Sequence, residues 1–122
     1  MPASVYYATP EFLGREDNAA GRFILAIEQA LNWLADHDPT DAAQVFTSHF
    51  PKLKPEVVAT SVRSCKAAGV WSRTARITES GLRRWQEILA VDKTVMREVL
   101  PYSEIVDSRA ADWAEQATAA KV

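Results

Sequence analysis

Residues 68–86 read AGVWSRTARITESGLRRWQ, and two different molecules can be built from them. In a winged helix-turn-helix, Gly69 would close one helix, the basic segment after it would form a short wing, and Thr78 would open the next helix. Arg73, Arg76, Arg83 and Arg84 would then face a nucleic-acid backbone, whose phosphates supply most of the affinity of such modules. In the second molecule the stretch is a link between two helices of a larger domain, with Trp71 and Trp85 as packing anchors.

Working outward, the spacing predicts a mostly α chain of about five helices with one short N-terminal strand. A helix is expected over 18–36, capped by Asp17 or Asn18, because Ala20, Phe23, Ile24, Ile27, Leu31 and Leu34 recur at three- and four-residue intervals. Leu25 and Trp33 fall off that stripe and need a second contact surface. Asp38 caps a helix over 39–49, where Pro39 suits the first turn and Asp41 complements the amino-end dipole. Pro55 opens a helix over 55–68 with Val57, Val58, Ser61, Val62 and Cys65 facing inward, and Gly69 stops it in the left-handed conformation. Thr78 caps a helix over 79–90 through Leu82, Trp85, Ile88 and Leu89. A loop over 91–101 and a turn at YSEIV lead to a last helix from Ser108, with Asp107 or Ser108 as cap. Residues 118–122 are expected to fray.

SVYYA, residues 4–8, is β-branched and aromatic and reads as a strand ended by Thr9-Pro10. A lone strand leaves its backbone groups unpaired. The only other strand-like pieces are Val70–Ser72 and Ala75–Ile77.

The length of 122 residues suits one domain, and residues 1–122 are expected to form a single partial domain. The net charge of −2 does not mark the whole molecule as a polyanion binder. The charge is uneven, however. Residues 1–60 hold four Lys/Arg against eight Asp/Glu, residues 61–97 eight against three, and residues 98–122 two against five. A basic middle between acidic flanks is either a solvated helix face or a phosphate-contacting patch.

Little here suggests catalysis. The one cysteine, Cys65, has no partner for a disulfide, and no Cys/His metal spacing exists. His37 and His49 fall at helix carboxyl ends, where the dipole favours them. Asp36, Asp38 and Asp41 are explained by capping, and the four glycines are too dispersed for a phosphate loop. No cofactor and no enzyme activity are expected. No apolar run reaches the roughly 20 residues that span a bilayer, so no membrane insertion is expected. MPASVYYATPEF has neither a basic region nor an apolar core of an export signal, so on this stretch alone a cytoplasmic location is expected.

Several segments together resemble the C-terminal portion of substrate-binding proteins of the sulfonate, nitrate and thiamine-pyrimidine type, the SsuA/THI-like group that serves ABC importers. YYATPEFL is similar to the strand that leads into a polar helix cap. GRFILAIEQALNWLADHDPTDAAQVF looks like the family's helix pair, and FPKLKPEVV its PxLxPEV link. GVWSRTARITESGLRRWQEIL and PYSEIVDSRAADWA resemble its closing segments. Two positions depart: Arg73-Thr74 replaces an expected Asp after the Trp, and Ala110 replaces an aromatic.

The resemblance implies the C-terminal helical part of a two-lobed α/β fold, the type 2 periplasmic binding protein. It implies a small organic anion or thiamine-precursor-like ligand, an ABC permease as partner, and a periplasmic or cell-surface location. SVYYA would be a strand returning beside a hinge, which makes Tyr6 and Tyr7 the candidate ligand contacts. It also implies an uncovered lobe face and strand through which the chain could self-associate. Two alternatives stand beside it: a winged-helix DNA-binding module through Arg73, Arg76, Arg83 and Arg84, and a relative of thiamine-pyrimidine precursor synthases. Nucleic acid is the less expected partner.

Overall fold

A computed structural model of the chain describes residues 4–120. Every element among them is helical: α1 (Pro10–Leu13), α2 (Ala19–Asp36), α3 (Pro39–His49), α4 (Pro55–Ala67), α5 (Glu79–Leu89), α6 (Tyr102–Ile105) and α7 (Arg109–Ala119). The five long helices lie where the apolar spacing puts them. Their ends follow local chemistry. The Asp38 carboxylate accepts from the Thr40 amide at 2.8 Å, and Thr78 Oγ1 accepts from the Gly81 amide at 3.2 Å. Gly69 closes α4 at φ +63°, a conformation that costs a side-chain-bearing residue far more. Asp17 accepts from the Ala19 amide at 3.3 Å, while Asn18 turns the chain into α2 at φ +50°, which asparagine tolerates better than most residues. Asp107, not Ser108, accepts from the Arg109 amide at 3.0 Å.

Several expectations need correction. No strand forms among the described residues, at 4–8, 70–72 or 75–77. A strand needs a neighbour to take its amides and carbonyls, and SVYYA has none. Tyr7 is 97% exposed, and Tyr6 sets its ring edge-on to Phe23 with centroids 4.9 Å apart. The turn before Pro10 is instead a cap: Thr9 Oγ1 accepts from the Phe12 amide at 3.3 Å and starts α1. YSEIV closes into the single turn α6. Helix α7 continues through Thr118 and Ala119, where fraying was expected, and residues 121–122 lie outside the described part.

The chain forms two compact units. One comprises Ala26–Ala75, and the other the residues up to Leu25 together with those from Arg76 onward. In the unit 26–75, α3 and α4 pair as a helical hairpin over Ala42, Ala43, Val58 and Val62, with Trp33, Leu34, Phe46, Ala59 and Trp71 packed around them. Alanines on α3 let the two backbones approach, and the valines of α4 fill the seam. Trp33 therefore finds its second surface here. Val57 and Ser61, expected inward, are exposed, because the seam takes the neighbouring row at 58 and 62.

In the other unit the covered positions are, apart from Leu82, small or polar: Ala20, Gly21, Gln86, Ala111 and Ala114. Tyr102 donates its hydroxyl to the Ile77 carbonyl at 2.7 Å, holding α6 to the segment before α5. Trp85 does not serve as an anchor, being 40% exposed.

Gly21 is required by contact rather than by turn geometry. A Cβ there would lie 2.8 Å from the Trp113 ring and 2.7 Å from the Asn18 amide. Gly21→Ala is expected to destabilise the chain by about 1–3 kcal/mol in urea unfolding, the cost of overpacking a filled site. In a Trp113→Ala background the same change should cost less.

Candidate functional site

The stretch from Ser72 to Ala75 has no ladder partner, yet its polar groups are bonded. Three α2 side chains at four-residue spacing supply the partners. The Asp36 carboxylate takes the Arg73 guanidinium at 2.8 Å. The Asn32 amide donates to the Arg73 carbonyl at 3.1 Å. The Glu28 carboxylate accepts from the Thr74 hydroxyl at 2.9 Å and the Ala75 amide at 3.2 Å. Glu28 is only 6% exposed. The expected wing is therefore a strap fastened to a helix by side chains. Sequence spacing singles out neither Glu28, which sits in the middle of an otherwise apolar stripe, nor Asn32, and Asp36, read as part of a capping cluster, bonds Arg73 instead.

The last turn of α4 also bonds to α2 through a side chain. Lys66 donates Nζ to the carbonyls of Ala35 and His37, the latter at 2.5 Å, and so closes the carboxyl end of α2 with a positive charge. His37 stacks on Trp33 with ring centroids 4.3 Å apart, and its Nδ1 lies 2.8 Å from the Trp33 carbonyl.

Arg76 is held by two carboxylates of α7. It bonds Asp112 at 2.7 Å and Glu115 through two nitrogens at 2.8 and 2.9 Å. The bidentate fork on Glu115 is the stronger geometry for such a pair. The guanidinium pulls both acids below the ordinary carboxylate range, with the Ser108 hydroxyl adding to the effect on Asp112. The carboxylates in turn push Arg76 further upward, Glu115 most.

The four arginines of the DNA alternative thus meet different fates. Arg73 lies on Asp36, Arg76 on Asp112 and Glu115, and Arg83 on Glu87 at 3.1 Å. Arg84 is exposed. Two arginines of the basic middle thus pair with acids from its sequence flanks, Arg73 with Asp36 and Arg76 with Asp112 and Glu115. Tyr6 and Tyr7, the ligand candidates, are not brought together with any of these residues: Tyr6 meets Phe23 and Tyr7 faces solvent.

Sequence spacing also misses an apolar trough in the unit 26–75. Phe46, Phe50, Leu53, Val57, Ser61, Cys65 and Trp71 line an open hollow of about 360 Å³ above Val58 and Val62. Its lip is strongly apolar and uncovered, with Phe50 and Val57 each 53% exposed. Val57, Ser61 and Cys65 recur every fourth residue, so one stripe of α4 faces the trough while the adjacent stripe faces the core. Among the described residues no group of three or more His, Cys, Asp or Glu is placed to hold a metal ion, and no helix is long and apolar enough to cross a membrane.

Two outcomes follow from this geometry. Asp112 and Glu115 titrate lower in the folded chain, so their pairing with Arg76 stabilises it above the ordinary carboxylate range, about pH 4. That contribution is lost as the pH falls through their lowered values. Arg76→Ala should flatten the acid limb of a stability–pH curve, and high salt should shrink the difference, because both acids are half-exposed. Separately, an environment-sensitive hydrophobic dye should bind the chain, and Val57→Asp should reduce its fluorescence several-fold without changing the far-ultraviolet spectrum.

The chain is 22% identical over 112 residues to "Putative binding protein YtlA" of Bacillus subtilis (strain 168). The match takes in 92% of this chain and 33% of that protein, so the chain spans about a third of the length of the curated relative it matches. No protein-family model matches the chain. No solved structure matches it with significance.

Proposed function

We propose that the chain is a solute-binding component of an ABC-type importer, corresponding to the C-terminal part of a two-lobed binding protein of the sulfonate, nitrate and thiamine-pyrimidine type. The observation that carries this is the distant similarity to a protein named as a binding protein, which extends over nearly the whole chain. The helical elements of the described residues are in keeping with the helical closing part of such a fold. So does the amount of uncovered apolar surface: Trp85, Ile88, Val91 and Val95 in one unit and the trough in the other. In this proposal the ligand is a small organic anion or a thiamine-precursor-like molecule, the permease is the membrane partner, and the chain works at the periplasmic side or the cell surface. Tyr6 and Tyr7 are the residues assigned to ligand contact. Their exposure leaves them available for that role.

The winged-helix alternative is weaker on this geometry. Three of its four arginines are engaged by carboxylates of the same chain, and the segment that would be the wing is the strap on α2. A relative of the thiamine-pyrimidine precursor synthases shares the same resemblance and stands as the second alternative.

Two measurements on the full chain decide between these. Binding to random duplex DNA at low and moderate salt is expected to be weak; tight binding with a steep salt dependence would sink the solute-binding proposal. Thermal unfolding with organic sulfonates, nitrate and thiamine pyrimidine precursors should show a stabilising shift for one class, reduced in a Tyr6→Ala/Tyr7→Ala variant. A shift that the double variant leaves intact would remove the two tyrosines from the site.

A further inference from the structure

The trough in the unit 26–75 has a direction. Val57, Ser61 and Cys65 run along its wall for about 12 Å, a little over two turns of α4. Phe50 and Leu53 belong to the turn before α4. Trp71 follows the carboxyl end of α4, where the Val70 amide bonds the Cys65 carbonyl at 3.0 Å. The unmatched charge lies at the first of these ends. Lys52 and Lys54 are the chain neighbours of Leu53, and both are exposed. Among the described residues neither ammonium has a hydrogen bond or an ion pair. Glu56 is the one acid in residues 49–57, so the turn is net positive. Cations on the carboxyl half of α4 are matched instead. Lys66 donates to the carbonyls of Ala35 and His37, and Arg63 lies in the field of the Asp38 carboxylate.

An occupant must match a narrow apolar hollow with a cationic lip at one end. A second copy of this face would bring the lysines of two turns together, and like charges across an interface oppose the pairing. A helix is about 10 Å across with its side chains. A length of it equal to the trough displaces far more than the 360 Å³ of the hollow. A bilayer takes up apolar groups that protrude into it, whereas this surface is concave. A single alkyl chain ending in an anion has the right width, and its charge sits at one end only.

We infer that the trough is a binding site for a medium-chain fatty acid, with the alkyl chain along Val57, Ser61 and Cys65 and the carboxylate at Lys52 and Lys54. An extended chain advances about 1.2 Å per bond, so the wall accommodates roughly ten carbons. A hollow of about 360 Å³ lies at the small end of ligand sites, which run from about 300 to 1,000 Å³. Burial of methylenes supplies the affinity, and the two lysines select an anion and set its direction. The site belongs to the unit 26–75 and is independent of the import proposal and of Tyr6 and Tyr7.

Isothermal titration of the full chain with octanoate, decanoate and decan-1-ol, all below their micellar range, tests it. Decanoate should bind one to one and about tenfold tighter than octanoate, the effect of two further methylenes in a half-open site. Lys52→Gln/Lys54→Gln should weaken decanoate about fivefold and leave decan-1-ol unchanged. Ser61→Trp, at an exposed position of the wall, should abolish binding of both without changing the far-ultraviolet spectrum, and Val57→Asp should weaken both. Equal affinity of the wild type for decanoate and decan-1-ol would overturn the proposal. So would a double lysine variant that binds decanoate as the wild type does. Undiminished decanoate binding in both Ser61→Trp and Val57→Asp would put the ligand elsewhere and sink it too. Absence of decanoate binding would end the proposal outright. Sedimentation with phosphatidylglycerol vesicles would then assign the face to a membrane, and a dimer dissolved by Val57→Asp would assign it to a second copy.

Discussion

The Glu28 carboxylate is the point on which the middle of the chain depends. An extended segment that finds no neighbouring strand must bond its backbone elsewhere or remain in water. Here one helix provides the bonds from a single face, at positions 28, 32 and 36. The segment follows directly on Trp71, which packs in the hairpin cluster. It also pairs Arg73 with Asp36, so part of the charge that makes residues 68–86 look like a nucleic-acid wing is matched by an acid of the same chain. A polar residue in an apolar helical stripe thus does the work that a second strand would do in a sheet.

Much of the fold is legible in the sequence because its signals are local. Pro39, Pro55, Asp38, Thr78 and Gly69 act within a turn of where they stand, and the helices they delimit appear at those positions. Periodicity finds the helices but does not always find the buried face. On α4 the stripe at 57, 61 and 65 and the stripe at 58 and 62 are both apolar or small, and only the alanines of α3 decide which one turns inward. Likewise Trp85 has the composition of a core residue and a place on an apolar stripe, but no described neighbour covers it.

The strand expectation fails for a related reason. β-propensity describes how well a side chain fits a pleated, half-buried surface, and it becomes structure only when that surface exists. SVYYA has the propensity without the surface. The candidate sites were less legible still. Glu28 and Asn32 act on residues more than forty positions away, and Arg76 meets Asp112 and Glu115 across a similar distance. No pattern within a window of sequence reports such pairings. The uneven charge along the chain is their one visible trace.

Gln86 illustrates a different kind of constraint. Its side-chain amide is 2% exposed, donates to the Leu100 carbonyl at 3.1 Å and accepts from the Leu100 amide at 2.8 Å. Both bonds go to backbone, so the contact is indifferent to the side chain carried at position 100. It demands only an amide hydrogen there, which every residue but proline supplies. This contact therefore tolerates any residue but proline at position 100, while at position 86 it needs a side chain that both donates and accepts. The proline at 101 stands one residue beyond the point where it would break this bond.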